Sequence, residues 1–337
     1  MKITVLGSFG PYPPAGGTCP GYLLEEDGCF VLLDCGNGVL SHLQHYISIK
    51  DISAVILSHL HSDHISDVFI LRYAWQAEMA GDAHLGPLPV YAPFLPEEEF
   101  ERLPYKEVLK VEAVPADGIL RIGPFEFSFL QTIHSVLCYA VKAEVKSGEK
   151  LVYTADTGYF PQLTGFSVGA DILLSEANYL EDDLHEKEAT HMSAGQAASL
   201  ALEAEAKALL LTHLPANRDP LLHLREARRV FSRVQIAEEG FTYSCDGNNA
   251  GNSVEEAPPD GEWVELIIET NPIKLSLLEG RLRAEGIPVI ISGEALAGVY
   301  GLTTGPLAER KILIPPQNEA EAKEILNSIA TQMENQD

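Results

Sequence analysis

The chain has 337 residues, 46% of them hydrophobic and 21% charged, and a formal net charge of −26. That composition suits a packed protein with a sizeable core, on a length that exceeds one ordinary domain of roughly 100–200 residues. So acidic a surface repels phosphate backbones, which argues against large nucleic acids as partners, and no apolar run approaches the roughly 18 residues of a membrane span.

In chain order, residues 2–6 read as an apolar strand, followed by the turn cluster Gly7-Ser8-Phe9-Gly10-Pro11 and a loop through Gly16-Gly17-Thr18. Met1-Lys2 runs into that strand with no signal peptide, and the five cysteines (Cys19, Cys29, Cys35, Cys138, Cys245) are scattered with no C-x-x-C spacing. Both features lead us to expect reduced thiols and a cytoplasmic protein. Tyr22–Glu25 and Cys29–Leu33 flank Glu26-Asp27-Gly28 as a β-hairpin that Asp34 closes. Residues 38–47 read as a short helix carrying His42 and His45 at the surface, and 64–80 as an amphipathic helix with Ile65, Val68, Leu71 and Trp75 facing a core.

A strand near Pro89–Tyr91 and a helix from Pro96 to Leu109 come next, with Glu97, Glu98 and Glu99 suited to the positive end of the helix dipole. Strands follow at 125–132, 138–145, 150–154 and 171–175. An alanine-rich helix opens after Thr190 with Ser193 placed to cap it, then come a strand at 207–212 and a helix at 220–231. In that helix Arg225, Arg228 and Arg229, the densest basic cluster, read as a solvated face. The polar, Pro-containing stretch 246–260 reads as a linker between a domain at 1–245 and a small one at 261–337. The second is a β-α-β-β-α pattern of the ferredoxin-like kind, similar to short prokaryotic domains of signalling or regulatory role.

The chemistry concentrates in Ser58-His59-Leu60-His61-Ser62-Asp63-His64, directly after the buried strand Ala54–Leu57. Side chains in extended chain alternate, so His59 and His61 point the same way, while Asp63 and His64 sit where the next helix begins. Each pair could hold a metal. Imidazole and carboxylate are ligands for zinc and also admit manganese or iron.

This stretch resembles the signature of the metallo-β-lactamase superfamily, whose other motifs follow in order: Asp34 in Val31-Leu32-Leu33-Asp34-Cys35-Gly36, His134 in Thr132-Ile133-His134-Ser135, Asp156 in Tyr153-Thr154-Ala155-Asp156-Thr157-Gly158, and His213 in Leu211-Thr212-His213. The resemblance covers roughly residues 1–245. It implies a four-layer αββα sandwich, of the α/β class, with the small α+β domain appended. It further implies two divalent metals, zinc suiting the ligands best. His59, His61 and His134 would hold one and Asp63, His64 and His213 the other, with Asp156 and a hydroxide nucleophile bridging and Asp34 fixing the histidine loop from behind.

The Gly16-Gly17 loop would lie near the metal rim. Ser175-Glu176-Ala177 and His191-Met192-Ser193 are similar to the ribonuclease Z branch and its phosphodiesterase relatives. That implies that His191 protonates the leaving oxygen or steadies the phosphate while Glu176 orients it. Asp63, as ligand, joins them in the catalytic set. Ribonuclease Z carries a long tRNA-gripping arm between its third-motif histidine and its bridging aspartate, whereas the matching His134 and Asp156 are only 22 positions apart. The expectation is therefore a phosphodiesterase for a small phosphodiester, a nucleotide or cyclic phosphate. Hydrolysis of a lactone or thioester on the same metals, and a metal-binding sensory role, are the alternatives. A homodimer is compatible with the sequence.

Overall fold

The computed structural model describes residues 1–184 and 189–246, and beyond them 264–269, 278, 281–282, 287, 289–292, 310–320, 322–323 and 325–326. The chain divides into two units, Met1–Asn249 and Ala250–Asp337. The expected linker lies almost wholly outside the described residues.

The first unit is built from two seven-stranded sheets. The first contains β1 (Lys2–Gly7), β2 (Gly21–Glu26), β3 (Cys29–Leu33), β4 (Ile52–Ile56), β5 (Leu88–Ala92) and β6 (Leu109–Ala113) side by side in chain order, with β14 (Thr242–Ser244) on the outer edge of β1. The second runs in chain order from β7 (Leu120–Ile122) through β8 (Phe125–Gln131), β9 (Tyr139–Val145), β10 (Lys150–Tyr153), β11 (Ile172–Glu176) and β12 (Ala208–Thr212) to β13 (Val234–Ile236). Each sheet begins with antiparallel hairpin pairs and finishes with four mutually parallel strands.

Strand alternation sorts the side chains into layers. On β3 the fully buried Val31 and Leu33 join Ile3, Tyr22 and Ile56 against Phe125, Phe127, Tyr153 and Leu174 of the facing sheet, while Leu32 points the other way. That outer face is covered by α1 (Val39–Leu43) and α3 (Val68–Gly81), which contribute Leu43, Leu71 and Trp75. The far side of the second sheet is covered by α5 (Pro161–Ser167), α6 (Ala194–Glu203) and α7 (Pro220–Arg228). The small Ala194, Ala197, Ala198 and Ala201 let α6 lie close on the sheet. The result is the four-layer αββα sandwich. The parallel strands, buried on both faces, explain why runs such as Ile172-Leu173-Leu174 and Leu209-Leu210-Leu211 show no alternation.

Several local expectations are corrected. The helix expected over 64–80 is two helices, α2 (Ser62–Ile65) and α3. The break lets the backbone N–H of Asp67 bond the Cys35 carbonyl (3.0 Å) while its side chain accepts from the Leu40 N–H (2.9 Å). The helix expected over 96–109 stops at six residues, α4 (Glu97–Arg102), and its last expected residue, Leu109, instead opens β6, which pairs with β5 over five positions. Strands β7, β13 and β14, three residues each, and α5 are too short for periodicity to reveal. His42 is not a plain surface histidine. Its ring lies half-buried with Nδ1 2.8 Å from the Leu6 carbonyl and 3.1 Å from Thr18 Oγ1, so it pins both ends of the loop between β1 and β2.

In the second unit the described strands β15 (Val264–Glu269), β16 (Ile290–Ser292) and β17 (Arg310–Ile314) form a sheet in the order β15-β17-β16, both pairs antiparallel. Leu278, Leu282, Ile287, Ile312 and Ile314 make its core. The helices expected at 272–284 and 318–333 fall mostly outside the described residues. Among the described residues no helix is long and apolar enough to cross a membrane.

Candidate metal centre

Parallel strands deliver their C-terminal ends to one rim, and there the sequence-predicted residues meet. His59 and His61 leave β4, Asp63 and His64 sit on α2, His134 follows β8, Asp156 follows β10, Glu176 ends β11 and His213 follows β12. Three of these strand ends turn through left-handed backbone at residues other than glycine: Asp34 (φ 55°), Ala155 (φ 51°) and His213 (φ 53°). Each such turn costs about 1–3 kcal/mol and persists only where neighbours impose it.

Two groups of donors converge. His59, His61, His134 and Asp156 have donor atoms within 4.8 Å of one another, as do Asp63, His64 and His213. In the first, His61 Nδ1 lies 3.0 Å from His59 Nε2 and 3.1 Å from His134 Nε2. Asp156 stands between the groups, with Oδ2 3.7 Å from His59 Nε2 and 3.3 Å from His213 Nε2, and Oδ1 3.5 Å from His64 Nε2. A further grouping, Asp156, His191 and His213, overlaps both.

The donor set fits divalent cations. Asp156 Oδ1 and His64 Nε2 are buried with no hydrogen-bond partner, a costly arrangement that a cation between them would relieve. Burial, reinforced by the neighbouring rings, holds His59 well below its usual range and lowers His61 too, and burial also lowers His134. Such rings are neutral with lone pairs free, the form that ligates metal. Burial by itself would raise Asp156, but His213, His64 and His59 around it hold its carboxyl well below the carboxylate range. For His64, burial pulls down and is outweighed by Asp156 and Asp34, which raise it.

Behind the two donor groups, Asp34 is fully buried and saturated. Its Oδ1 accepts from the Ser58 N–H (2.7 Å), and its Oδ2 meets Ser58 Oγ (2.8 Å), His64 Nδ1 (2.8 Å) and Tyr153 Oη (2.9 Å). Bonding Nδ1 this way leaves His64 Nε2 facing the site. Gly36 is required beside it, because a Cβ there would lie 1.9 Å from the Asp63 carbonyl oxygen.

Glu176, also fully buried, accepts from the Thr157 N–H (2.7 Å) and sits 2.9 Å from His191 Nδ1. Burial lowers His191, yet the Glu176 carboxylate overrides it and raises the imidazole to about 9. The His191 ring stacks on that of His213 at 5.4 Å. Ser193 caps α6 as expected, its hydroxyl accepting from the Gln196 N–H at 3.0 Å.

Four participants went unassigned in the sequence. Ser58 and Tyr153 stand inside the motifs, and their places there were the available signal. Gly10 and Asn178 carried none, because only the folded chain brings them to His213. A Cβ on Gly10 would lie 2.0 Å from His213 Nε2, and that imidazole is buried and cannot swing away. Gly10→Ala is expected to lower the affinity of the Asp63–His64–His213 group for zinc by at least about tenfold. The check is metal content after dialysis at limiting zinc.

A separate concavity of about 380 Å³ opens at the opposite end of the strands, near Ser147, Asp171, Lys207 and Arg233. Its charges are already engaged, Lys207 Nζ with Asp171 (2.6 Å) and Arg233 with the Ala206 carbonyl (3.1 Å).

Fold and site together define a metallo-hydrolase architecture in which histidines and aspartates at strand ends suit divalent cations. The chain belongs to the metallo-β-lactamase superfamily: residues 30–214 match the family model described as “Beta-lactamase superfamily domain”. Residues 263–330 match another, described as “Putative prokaryotic signal transducing protein”. The chain is 40% identical over 246 residues to “Probable metallo-hydrolase YhfI” of Bacillus subtilis, covering 72% of this chain and 99% of that protein. The crystal structure of YhfI superposes with a TM-score of 0.69 over 72% of this chain and 98% of its own. Ribonuclease Z of Ignicoccus hospitalis is 28% identical over 290 residues, covering 71% of this chain and 96% of the relative. A structure titled as a new diphosphatase from the PhnP family shares the fold, with a TM-score of 0.58 at 21% identity over 72% of this chain and 97% of the other.

Proposed function

We propose that this chain is a phosphodiesterase with a binuclear metal centre, acting on a small phosphodiester such as a nucleotide or cyclic phosphate. The observation that carries the reading is the Glu176–His191 pair, 2.9 Å apart, set against Asp156 and His213 at the edge of the seven-ligand cluster. His59, His61 and His134 would hold one cation, and Asp63, His64 and His213 the other, with Asp156 shared. When bound, two divalent cations supply Lewis acidity and a water activated at neutral pH, and zinc suits this imidazole-rich set. Glu176 fixes the His191 ring through Nδ1, leaving Nε2 to hand a proton to the leaving oxygen or to bond the phosphate. Asp34 holds His64 and the His59 loop in register.

A small substrate is favoured by the short span from His134 to Asp156, which leaves no room for a long arm, and by the acidic surface. Relatives whose names specify ribonuclease Z and a PhnP-family diphosphatase point to phosphate chemistry. All five cysteines are free thiols, in keeping with a reducing compartment, and we place the protein in the cytoplasm. The C-terminal unit would serve regulation.

The test is metal analysis of the purified full chain followed by hydrolysis of a bis-aryl phosphate, cyclic nucleotides and lactones. Diester turnover that a chelator abolishes and zinc or manganese restores is the expected result. Lactone turnover with a higher kcat/KM and no diester cleavage would assign acyl hydrolysis instead.

A further inference from the structure

The candidate ligands come from both sheets. His59, His61, Asp63 and His64 follow β4 of the first, whereas His134, Asp156 and His213 follow β8, β10 and β12 of the second. Each donor group therefore straddles the interface between the sheets, and its donor spacing depends on how the two sheets sit against each other at the rim. The packing beneath is largely apolar, with Ile3, Val31, Leu33 and Ile56 meeting Phe125, Phe127 and Leu174. Apolar burial is non-directional, so it holds the sheets together but fixes their lateral register only loosely. Directional bonds must complete the task.

Two tyrosines cross the interface in opposite directions. Tyr153 of the second sheet donates to Asp34 at the end of β3. Tyr22 of β2 reaches the other way: it is fully buried, and its Oη lies 2.6 Å from Oγ1 of Thr212, the last residue of β12 and also fully buried. The two rings pack on each other with centroids 5.0 Å apart. Burial pushes the Tyr22 phenol well above its usual range, and Asp34 and Asp156 add to the effect, so it is a neutral hydroxyl.

Thr212 stands where such a contact counts. It immediately precedes His213, whose backbone is left-handed, and it pairs across the ladder with Glu176, the partner of His191. From outside, His213 is held by Asn178, whose Nδ2 donates to its carbonyl oxygen at 3.0 Å. From the core side the hold is Tyr22.

We propose that Tyr22 is a positioning residue: its bond to Thr212 locks the end of β12 to the first sheet and so sets where His213 stands relative to Asp63 and His64. In the structure His213 Nε2 lies 3.3 Å from Asp63 Oδ2, and its ring stacks on that of His64 at 5.3 Å. The inference rests on the assignment of His213 as a ligand made above.

The experiment is zinc titration of the full chain against a chelating indicator, with the apo thermal midpoint measured alongside. The variants are Tyr22→Phe, Thr212→Val, both together, Thr212→Ser and His213→Ala. Phenylalanine and valine keep the shape and remove one hydroxyl each. Each should weaken, by about ten- to hundredfold, the cation that His213→Ala loses, and leave the other unchanged. The double variant should be no weaker than the worse single one, because a single bond is lost in every case. Thr212→Ser keeps the hydroxyl and should bind like wild type. Wild-type zinc affinity in both Tyr22→Phe and Thr212→Val, whatever their apo midpoints, would make the contact mere packing and overturn the inference. Equal weakening of both cations, losses that add in the double variant, or a serine variant as weak as the valine one would overturn it too. If Tyr22→Phe does not fold, the valine and serine variants at Thr212 decide in the same sense. Both cations retained in His213→Ala would sink the ligand assignment and this inference together, whereas a cation lost there and none weakened in the hydroxyl variants sinks only the role of Tyr22.

Discussion

Asp156→Ala is expected to cost at least about a hundredfold in cation affinity at both candidate positions and to abolish hydrolysis. Losing a group that merely supports a ligand costs about ten- to hundredfold, and among the described residues Asp156 is the one carboxylate that faces His59, His64, His134 and His213 together. Its removal would take away the carboxylate that His59 and His134 face and leave His64 and His213 facing Asp63. The backbone should survive, because the bonds from Thr132 Oγ1 (2.9 Å) and Cys138 Sγ (3.4 Å) go to the Asp156 carbonyl, which alanine retains. Metal content of the dialysed variant, read beside its circular dichroism, is the measurement. A folded variant that still holds two cations would remove Asp156 from the centre.

His191→Ala is expected to lower kcat for a phosphodiester by about 10²- to 10⁴-fold, some 3–5 kcal/mol of barrier, with metal content unchanged. The ring is anchored from behind by Glu176, and its side chain is 18% exposed, so it can reach a substrate seated at the rim. Glu176 is fully buried and would act only through that ring, so Glu176→Gln should give a smaller loss of the same kind. Steady-state kinetics with metal analysis on the same samples decides it. Because Asp156, His191 and His213 also form a possible ligand group, a cation lost in His191→Ala would make His191 a ligand, and unaltered turnover would remove it from the chemistry.

The Gly10→Ala variant probes the opposite side of the same centre, where the loop after β1 lies against His213. The rim is thus supported from two directions. On the inner side Asp34, Ser58 and Tyr153 clamp His59 and His64 across the sandwich, since Tyr153 belongs to the second sheet and Asp34 to the first. On the outer side Gly10 and Asn178 clamp His213.

Much of this was legible from residue order alone. The ligand types cluster where apolar runs end, and a strand buried on both faces must surface at its tip, so Leu57, Tyr153 and Thr212 each announce a nearby rim residue. The layers were legible as well, because alternation within the hairpins and unbroken apolar runs in the later strands correspond to different burial. The edge strands β6, β7, β13 and β14 were not. They are held by pairing to a neighbour rather than by a pattern of their own, and Leu109 reads as the end of a helix until β5 lies beside it.

Sequence therefore determined which residue types are available for metal chemistry and on which strand ends they stand, since both follow from local composition and period. Tertiary structure decided how those ends face one another. It packed two sheets face to face with their strand ends at one rim so that Asp156 lies among four histidines, laid Gly10 against His213, and brought Tyr153 across the core to Asp34. Those arrangements depend on contacts between residues far apart in the chain, 119 positions in the case of Tyr153 and Asp34, and no local pattern encodes such a distance.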